Sequence, residues 1–571
     1  MNKIFLSYIF KLFPAIIIII FLTLMLYKLE TIPSPHFDES EAINHFRYGT
    51  SQEYREYPLL QIWKIIDKLW LEVLCSFFKN INVLFFHRLL NVVFFAATLI
   101  SSYILLKKII GGNNSLIVIL FLIISPVLFV NVRIHTSYHY LNLFFNITGL
   151  LCVCYGYSSK KIMSIIMGNI LIAISCLIHI MYLIFFISIL AIEIFMLLRK
   201  QKIHSIFNKK IKFISVIISI ISIIILLFAL ANYNKFFIFN INNFNFSKLN
   251  NAVENFFFII DRFALYISLM TGEYAFKAFS GIWIENIIIK RIIIIIFLFI
   301  IIYPLYKSRK KNIVKASLFL IAFNLLAFEI CYKLSYNTLF LKLFYNVKYL
   351  PTINFIAVLI LMFTILQFEI KKKILILSFL FCFYSFSIYK FYFFEFQYSG
   401  GVYKRDKKVI GINYFCNLSE TGRGEIFYQI NPKQNLFEEI SNYLHTEIKE
   451  KNFYIFSPID LAHTLRMYMP EFKNNIIELY RPSSVDFFNK KVTDKFYFIS
   501  YYYCYEDNDE NFEIIRYFNK TPLDKFNNYF NNKNIVLTEK KYLYKAKDCP
   551  LIVIYRFEKE FKLLKNKNEG V

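Results

Sequence analysis

Residues 162–198 read IMSIIMGNILIAISCLIHIMYLIFFISILAIEIFMLL, with Lys160 and Lys161 before them and Arg199, Lys200 and Lys202 after. As a single helix this block would be roughly 55 Å long, far more than the ~30 Å hydrocarbon core of a bilayer. Both flanks are basic, and basic loops stay on the inner side of a membrane. An even number of crossings must therefore lie between them. The block is predicted to be two spans that turn near His179.

The same reading extends along the chain. The protein has 571 residues, of which 57% are hydrophobic, and its mean hydropathy is +0.49. The apolar residues fall in blocks of about 18 to 22, the length of a membrane-crossing helix. About eleven spans are predicted: 10–28, 86–106, 115–132, 138–157, 162–178, 180–198, 213–231, 291–306, 313–332, 351–369 and 374–392. The first is read as a span and not a removed signal, because Tyr27, Lys28, Leu29 and Glu30 follow Phe13 to Leu26 in place of a small-residue cleavage site.

Charge sets the orientation. With the N-terminus inside, the inner loops hold Lys107 and Lys108, Lys160 and Lys161, Arg199 to Lys212, Lys307 to Lys315, and Lys371 to Lys373, without an Asp or Glu among them. The outer loops are mixed in charge; Lys290 and Arg291 run against the rule without reversing it. The net charge of +26 is thereby a topology signal carried by loops, which argues against a nucleic-acid partner. The expected location is the cytoplasmic (inner) membrane, with the tail outside.

Three outer segments are large: 29–85, 232–290 and everything after 393. The expected architecture is a polytopic α-helical membrane module, 1–392, followed by an extracytoplasmic α/β domain, 393–571. In the first outer loop, Pro58 to Phe78 has Leu60, Trp63, Ile66, Trp70, Leu74 and Phe77 on one helical face and Gln61, Lys64, Lys68 and Glu72 on the other. Such a helix lies in the membrane interface or packs on neighbouring spans. Ala252 to Leu269 is similar.

In the tail, strands are predicted at Phe453–Phe456, Lys495–Tyr503, Ile535–Leu537 and Leu551–Phe557. Helices are predicted at Leu436–Lys449, Asp460–Met469 and Leu523–Phe530, with Asp460 read as a cap. Neither a phosphate-binding glycine loop nor an internal repeat is found. Of the nine cysteines none forms a CxxC pair. In an oxidising compartment Cys504 and Cys549 are the expected bridge, with Cys416 left over.

The stretch most suggestive of chemistry is Pro35-His36-Phe37-Asp38-Glu39-Ser40-Glu41-Ala42, just outside the first span. Adjacent carboxylates at a membrane surface can deprotonate a hydroxyl when partial burial raises their pKa. The plainer alternative is a solvated helix from Glu39 to Tyr48 capped by Asp38. Asp38, Glu41 and His45 share one face at helical spacing, a pattern for a divalent metal ion or, again, for a solvated face.

Several short elements then follow in a familiar order. Asp38-Glu39 comes first, then Tyr57-Pro58-Leu59-Leu60, then His87-Arg88-Leu89-Leu90 at the second span. Ser125-Pro126 lies in the third span, with Arg133 just beyond it and Tyr138 to Phe145 next; Lys348-Tyr349-Leu350-Pro351 comes late. The order resembles the GT-C superfamily of membrane glycosyltransferases, of the protein-mannosyltransferase type that includes bacterial lipid A aminoarabinose transferases. The likeness covers residues 10 to 200 and, in outline, 290 to 370. The family often has His where Tyr57 stands and Pro where Leu59 stands. It commonly has an acidic residue where Tyr138 stands and Arg where Lys348 stands.

The resemblance implies a reaction. A sugar on a polyisoprenyl phosphate is attacked at its anomeric carbon by an acceptor hydroxyl of a glycan, lipid or protein, and the lipid phosphate leaves. Asp38, with Glu39 beside it, would be the base or would orient the acceptor. Arg133 and Lys348 would face the leaving phosphate, with Arg88, His139 and Tyr349 on the substrate side and His135 near them. The alternative for each cation is headgroup binding at the membrane surface.

Two other functions fit the composition. A polysaccharide or lipid flippase would show paired broken helices and midplane charges, whereas charges here cluster at span ends. A sensor would bind its ligand through the outer domain alone.

Overall fold

The computed structural model describes residues 16, 18–29, 40, 43–44, 60–78, 82–133, 137–159, 161–178, 217, 351–393, 414–418, 424–428, 436–447, 453–457, 459–478, 495–501, 535–546 and 549–559. The expected spans at 180–198, 213–231, 291–306 and 313–332, and the turn near His179, lie outside these residues. The chain divides into two compact units: Met1–Pro33 with Thr50–Gly401, and Ser34–Gly49 with Val402–Val571. Residues 34–49, which sequence groups with the spans, thus belong to the second unit.

The first unit is helical. Residues 18–26 form α1, which ends in a turn at 27–29. Then come α2 (Leu60–Phe77), α3 (Val83–Ile110), α4 (Gly112–Ile124), α5 (Pro126–Asn131), α6 (Ser137–Ser159) and α7 (Ile162–Ile178), and later α8 (Pro351–Ile365) and α9 (Ile370–Phe393). Each of these nine lies where sequence predicts a span or, for α2, an amphipathic helix. The predicted third span is instead two helices broken at Ser125. Pro126 has no N–H to continue the ladder, and it forces Ser125 to an extended ψ of 118°. Pro126 is tolerated as the first residue of α5, whose Phe129 N–H donates back to the Ser125 carbonyl at 2.9 Å.

Asn82 caps α3, its side-chain oxygen accepting from the Leu84 N–H at 2.9 Å. The helix stops at Gly111, whose φ of +86° favours glycine. Lys107 and Lys108 occupy the last turn, where the helix dipole favours cations. Helices α6 and α7 pack closely through facing glycines. A Cβ on Gly149 would lie 2.7 Å from the Gly168 carbonyl oxygen, and one on Gly168 would lie 2.6 Å from that of Gly149. Small residues let two helix backbones approach in this way.

Among the described residues, Val83–Ile110 is the one helix both long and apolar enough to cross a membrane; Gly112–Ile124, Ile162–Ser175 and Asn354–Ile365 are apolar but shorter. The apolar residues face outward as well as inward. Ile100 on α3, Met163 on α7, and Leu375 and Phe379 on α9 are 61%, 65%, 72% and 69% exposed. The interior meanwhile holds Arg88, Asn91, Ser102, Asn142, Asn169 and Asn354. An aqueous surface would favour the opposite distribution.

The second unit contains a hairpin, β1 (Tyr414–Leu418) with β2 (Gly424–Tyr428), and a five-stranded mixed sheet. Its remaining elements are α10 (Leu436–Glu447), β3 (Tyr454–Ser457), α11 (Ile459–Tyr468), β4 (Ile476–Glu478), β5 (Lys495–Tyr501), β6 (Ile535–Ala546) and β7 (Cys549–Lys559). The sheet order is β4-β3-β5-β7-β6. β3 runs parallel to β4 and β5, while β7 runs antiparallel to β5 and β6. The core comprises Ile455, Phe456, Phe498, Ile499 and Ile554 from strands and Ile440, Leu444, Leu461 and Leu465 from helices.

The α/β pattern expected of the tail is present in these residues. Asp460 is the second residue of α11, one turn position later than a cap. The predicted helix Leu523–Phe530 and Cys504 lie outside the described residues, so the Cys504–Cys549 bridge does too.

Candidate active site

Helix α1 ends immediately before the acidic stretch. Lys28 closes it with a φ of +49°, the left-handed conformation that commonly ends helices but that a side chain tolerates poorly. The last carbonyls of a helix have no partner within it. Here Arg133 supplies the donors. Its Nη1 donates to Met25 O at 2.8 Å, and its Nη2 donates to Tyr27 O at 2.9 Å and Lys28 O at 2.6 Å. Arg88 Nη1 donates to Leu29 O at 2.8 Å. Both arginines are fully buried. Two guanidiniums from different parts of the chain thus meet the negative end of α1, where cationic charge is favoured.

The resemblance implies that Arg133 faces the leaving phosphate, with Arg88 on the substrate side. The hydrogen bonds given above run to the main chain that precedes Asp38. A guanidinium fork can take several carbonyls at once, which a lysine ammonium cannot match.

A second polar contact joins α2 to α3. His87 Nδ1 donates to Asp67 Oδ1 at 3.2 Å, and both side chains are buried. Pairing with a carboxylate fixes the imidazole's tautomer and ring orientation. One turn further along α2, Trp70 Nε1 donates to Phe86 O at 2.9 Å. Asp67 is absent from the sequence-derived site. The signal was available: Asp67 falls four residues after Trp63 and three before Trp70, on the apolar face. A lone carboxylate on such a face calls for a buried partner.

The helix also differs from its expected amphipathic split. Asp67 and Leu71 are its buried line, and Ile65, Leu69, Val73 and Phe77 form an exposed apolar stripe at four-residue spacing. Lys68 and Glu72 form an exposed ion pair beside that stripe.

Polar side chains also line the interior of this unit. His139 and Asn142, three residues apart on α6, are buried, as are Thr352 and Asn354 in the first turn of α8. Asn91 Nδ2 donates to Val132 O at 3.2 Å, and Asn146 Nδ2 donates to Ser175 Oγ at 3.4 Å. In membrane-embedded helices such buried polar groups mark functional interiors.

Of the acidic stretch Ser40 is described, with Ile43 and Asn44 just beyond it. Ser40, Ile43 and Asn44 are helical and buried within the second unit. Ser40 Oγ lies 3.1 Å from Thr464 Oγ1, and Asn44 Nδ2 donates to His463 O at 2.7 Å. Asp38, Glu39, Glu41, His45, His135, Lys348 and Tyr349 lie outside the described residues. Among the described residues there is no group of three or more His, Cys, Asp or Glu side chains placed to hold a metal.

No protein-family model and no curated protein matches the sequence. Among solved structures, the chain is similar to the oligosaccharyltransferase of Archaeoglobus fulgidus, crystallised with zinc and sulfate. The identity is 10% and the TM-score 0.39, over 85% of this chain and 68% of that one. At that score the likeness is too coarse to assign a fold or an activity.

Proposed function

We propose that the chain is a membrane glycosyltransferase of the GT-C kind. In this reading it takes a sugar from a polyisoprenyl-phosphate donor and transfers it to an acceptor hydroxyl at the outer face of the inner membrane. The observation that carries the reading is the construction around the acidic pair. Two fully buried arginines, Arg88 and Arg133, clamp the end of the helix that leads into Asp38-Glu39. A solvated surface loop would not need such a clamp, whereas a base that must meet its acceptor within a few tenths of an ångström does.

The outward apolar side chains of α3, α7 and α9 support a lipid surround, which a polyisoprenyl chain requires. That residues 34–49 form one unit with the tail supports placing both on the same side of the membrane.

In the proposed reaction the acceptor O–H passes its proton to Asp38. The oxygen forms a bond to the anomeric carbon, and the bond from that carbon to the phosphate oxygen breaks. The electron pair leaves with the phosphate, whose charge Lys348 and other cations of the site would stabilise.

The test is direct. Purified protein is incubated with polyisoprenyl-phosphate sugars and a lipid extract of its own membranes, and free polyisoprenyl phosphate is followed by mass spectrometry. Release of the lipid phosphate matched by a new glycoside is expected. Donor binding or transbilayer movement without turnover would indicate a flippase instead.

A further inference from the structure

Helices α3 and α6 run side by side in the same direction. Ser101 Oγ on α3 meets Thr148 Oγ1 on α6 at 2.7 Å. Seven residues further along each helix, about two turns, Lys108 Nζ stands 4.8 Å from the centre of the Tyr155 ring. Lys161, in the connection to α7, brings a second ammonium to the same ring at 5.9 Å. Both distances are within the reach of a cation–π contact. The main chain fixes where Lys161 begins. Its N–H donates to the Gly156 carbonyl at 3.0 Å, and a Cβ on Gly156 would lie 2.9 Å from the Lys161 carbonyl oxygen. Glycine at 156 therefore lets the chain fold back tightly onto the end of α6.

Two ammonium groups gathered at one ring repel each other unless an anion lies between them. These helices supply none. The chain has no Asp or Glu between Glu72 and Glu193. Both lysines are exposed and Tyr155 is half-buried, so the cluster is open to a ligand. An apolar track leads up to it. Ile100, Ile104 and Lys108 follow one another at four-residue spacing on α3, and the two isoleucines are 61% and 49% exposed. Cations at the head of an exposed apolar track match a molecule with an anionic head and a hydrocarbon tail.

We infer that Lys108, Lys161 and Tyr155 form a binding site for the phosphate headgroup of an anionic phospholipid, one of whose acyl chains lies along Ile104 and Ile100. The phosphate oxygens accept charge-assisted hydrogen bonds from both ammonium groups. The phenol ring keeps the two side chains near each other before the lipid arrives, which lowers the ordering cost of binding. The orientation expected from the basic loops would put this site at the inner leaflet, whose surface is negative. The inference goes beyond the proposed transfer reaction and does not rest on it.

The test uses full-length protein in detergent micelles, with bound lipid counted by native mass spectrometry. The probes are phosphatidylglycerol and phosphatidylcholine with the same acyl chains. Phosphatidylglycerol should be retained in preference. Lys108→Gln or Lys161→Gln should weaken its binding about 5-fold each, and the double variant about 30-fold, at the scale of one lysine near an anionic surface. Lys108→Arg/Lys161→Arg keeps both charges and should retain most of the binding, which separates loss of charge from loss of fold. Lys371→Gln/Lys372→Gln removes the same charge from the start of α9 and should leave binding unchanged.

Equal retention of the two lipids would overturn the inference, as would a double glutamine variant that binds like wild type. An equal loss in the Lys371/Lys372 variant would show diffuse attraction and no built site. Inorganic phosphate at the lipid's own concentration should fail to displace it, because the acyl chain adds to the headgroup contact. Displacement at that concentration would mean that the cluster takes a free anion, and would overturn the lipid assignment.

Discussion

Two neighbouring stretches of chain, residues 34–49 and helix α2, behave differently. Residues 34–49 belong with the C-terminal α/β unit, joined to it through Ser40 and Asn44. Helix α2, only eleven residues later, belongs with the membrane-type helices and is joined to α3 through Asp67 and Trp70. One is anchored by contacts to a distant domain, the other by contacts to its sequence neighbour. The difference shows that stretches adjacent in sequence need not form one structural element. It also shows why the acidic stretch and the amphipathic helix beside it should respond differently to substitution.

The largest effect is expected at the boundary between α1 and the acidic stretch. Arg133→Ala leaves the buried carbonyl of Met25 and the part-buried carbonyls of Tyr27 and Lys28 without these donors. At about 1–3 kcal/mol for each unsatisfied group, the variant should lose most of its folded population. Thermal unfolding in detergent would measure it. Arg133→Lys should recover a minority of the loss, because an ammonium cannot reproduce the fork. Arg88→Ala removes the donor given to one carbonyl, Leu29, and should cost less. If Arg88→Ala proved the more damaging of the two, the clamp would be wrongly assigned.

Next in size is the α6–α7 contact. Gly168→Leu would force a branched side chain against the Gly149 backbone. Overpacking of this kind costs about 1–3 kcal/mol, occasionally more. Proteolysis of intact membranes, compared with wild type, would register it as faster cleavage.

In helix α2, Asp67→Ala removes the carboxylate that His87 meets, at a cost of about 1–3 kcal/mol. Asp67→Asn keeps an acceptor oxygen and should lose less. Because α2 is not part of the second unit, neither variant should disturb a disulfide formed between Ser40→Cys and Thr464→Cys. A weakened link in Asp67→Ala would show the two stretches to be coupled after all. Smallest of all is Glu72→Ala, which breaks an exposed pair with Lys68 and should shift stability by less than about 1 kcal/mol.

Much of the helical architecture was legible before any coordinates. Apolar blocks and basic loops located α3, α6, α7, α8 and α9 to within a few residues, because a hydrocarbon slab imposes a length. The strands of the tail were read where the sequence was apolar. β6 was underestimated because Glu539, Lys540 and Lys541 sit in its middle. It is an edge strand of the sheet, where charges are tolerated and discourage further pairing. β4 was missed because three residues carry too little pattern.

The site was legible as a region more than as a set of contacts. Arg88 and Arg133 were singled out, but their hydrogen bonds to the carbonyls at the end of α1 were not legible, because the partners lie 59 to 108 residues away. Asp67 was overlooked because its partner, His87, lies twenty residues on. The docking of Ser40 and Asn44 on α11 was invisible, since hydrogen bonds across four hundred residues leave no local trace.

The most direct test of the central claim is a single substitution, Asp38→Asn, in cells producing the protein at wild-type level. Membrane insertion would be checked by resistance of the variant to alkaline extraction from membranes. Glycolipids and glycoproteins of the envelope would then be compared by mass spectrometry. The account predicts the disappearance of one glycosylated species, with its unmodified acceptor and the sugar-bearing polyisoprenyl phosphate both accumulating. An unchanged glycan profile with the variant inserted would contradict it.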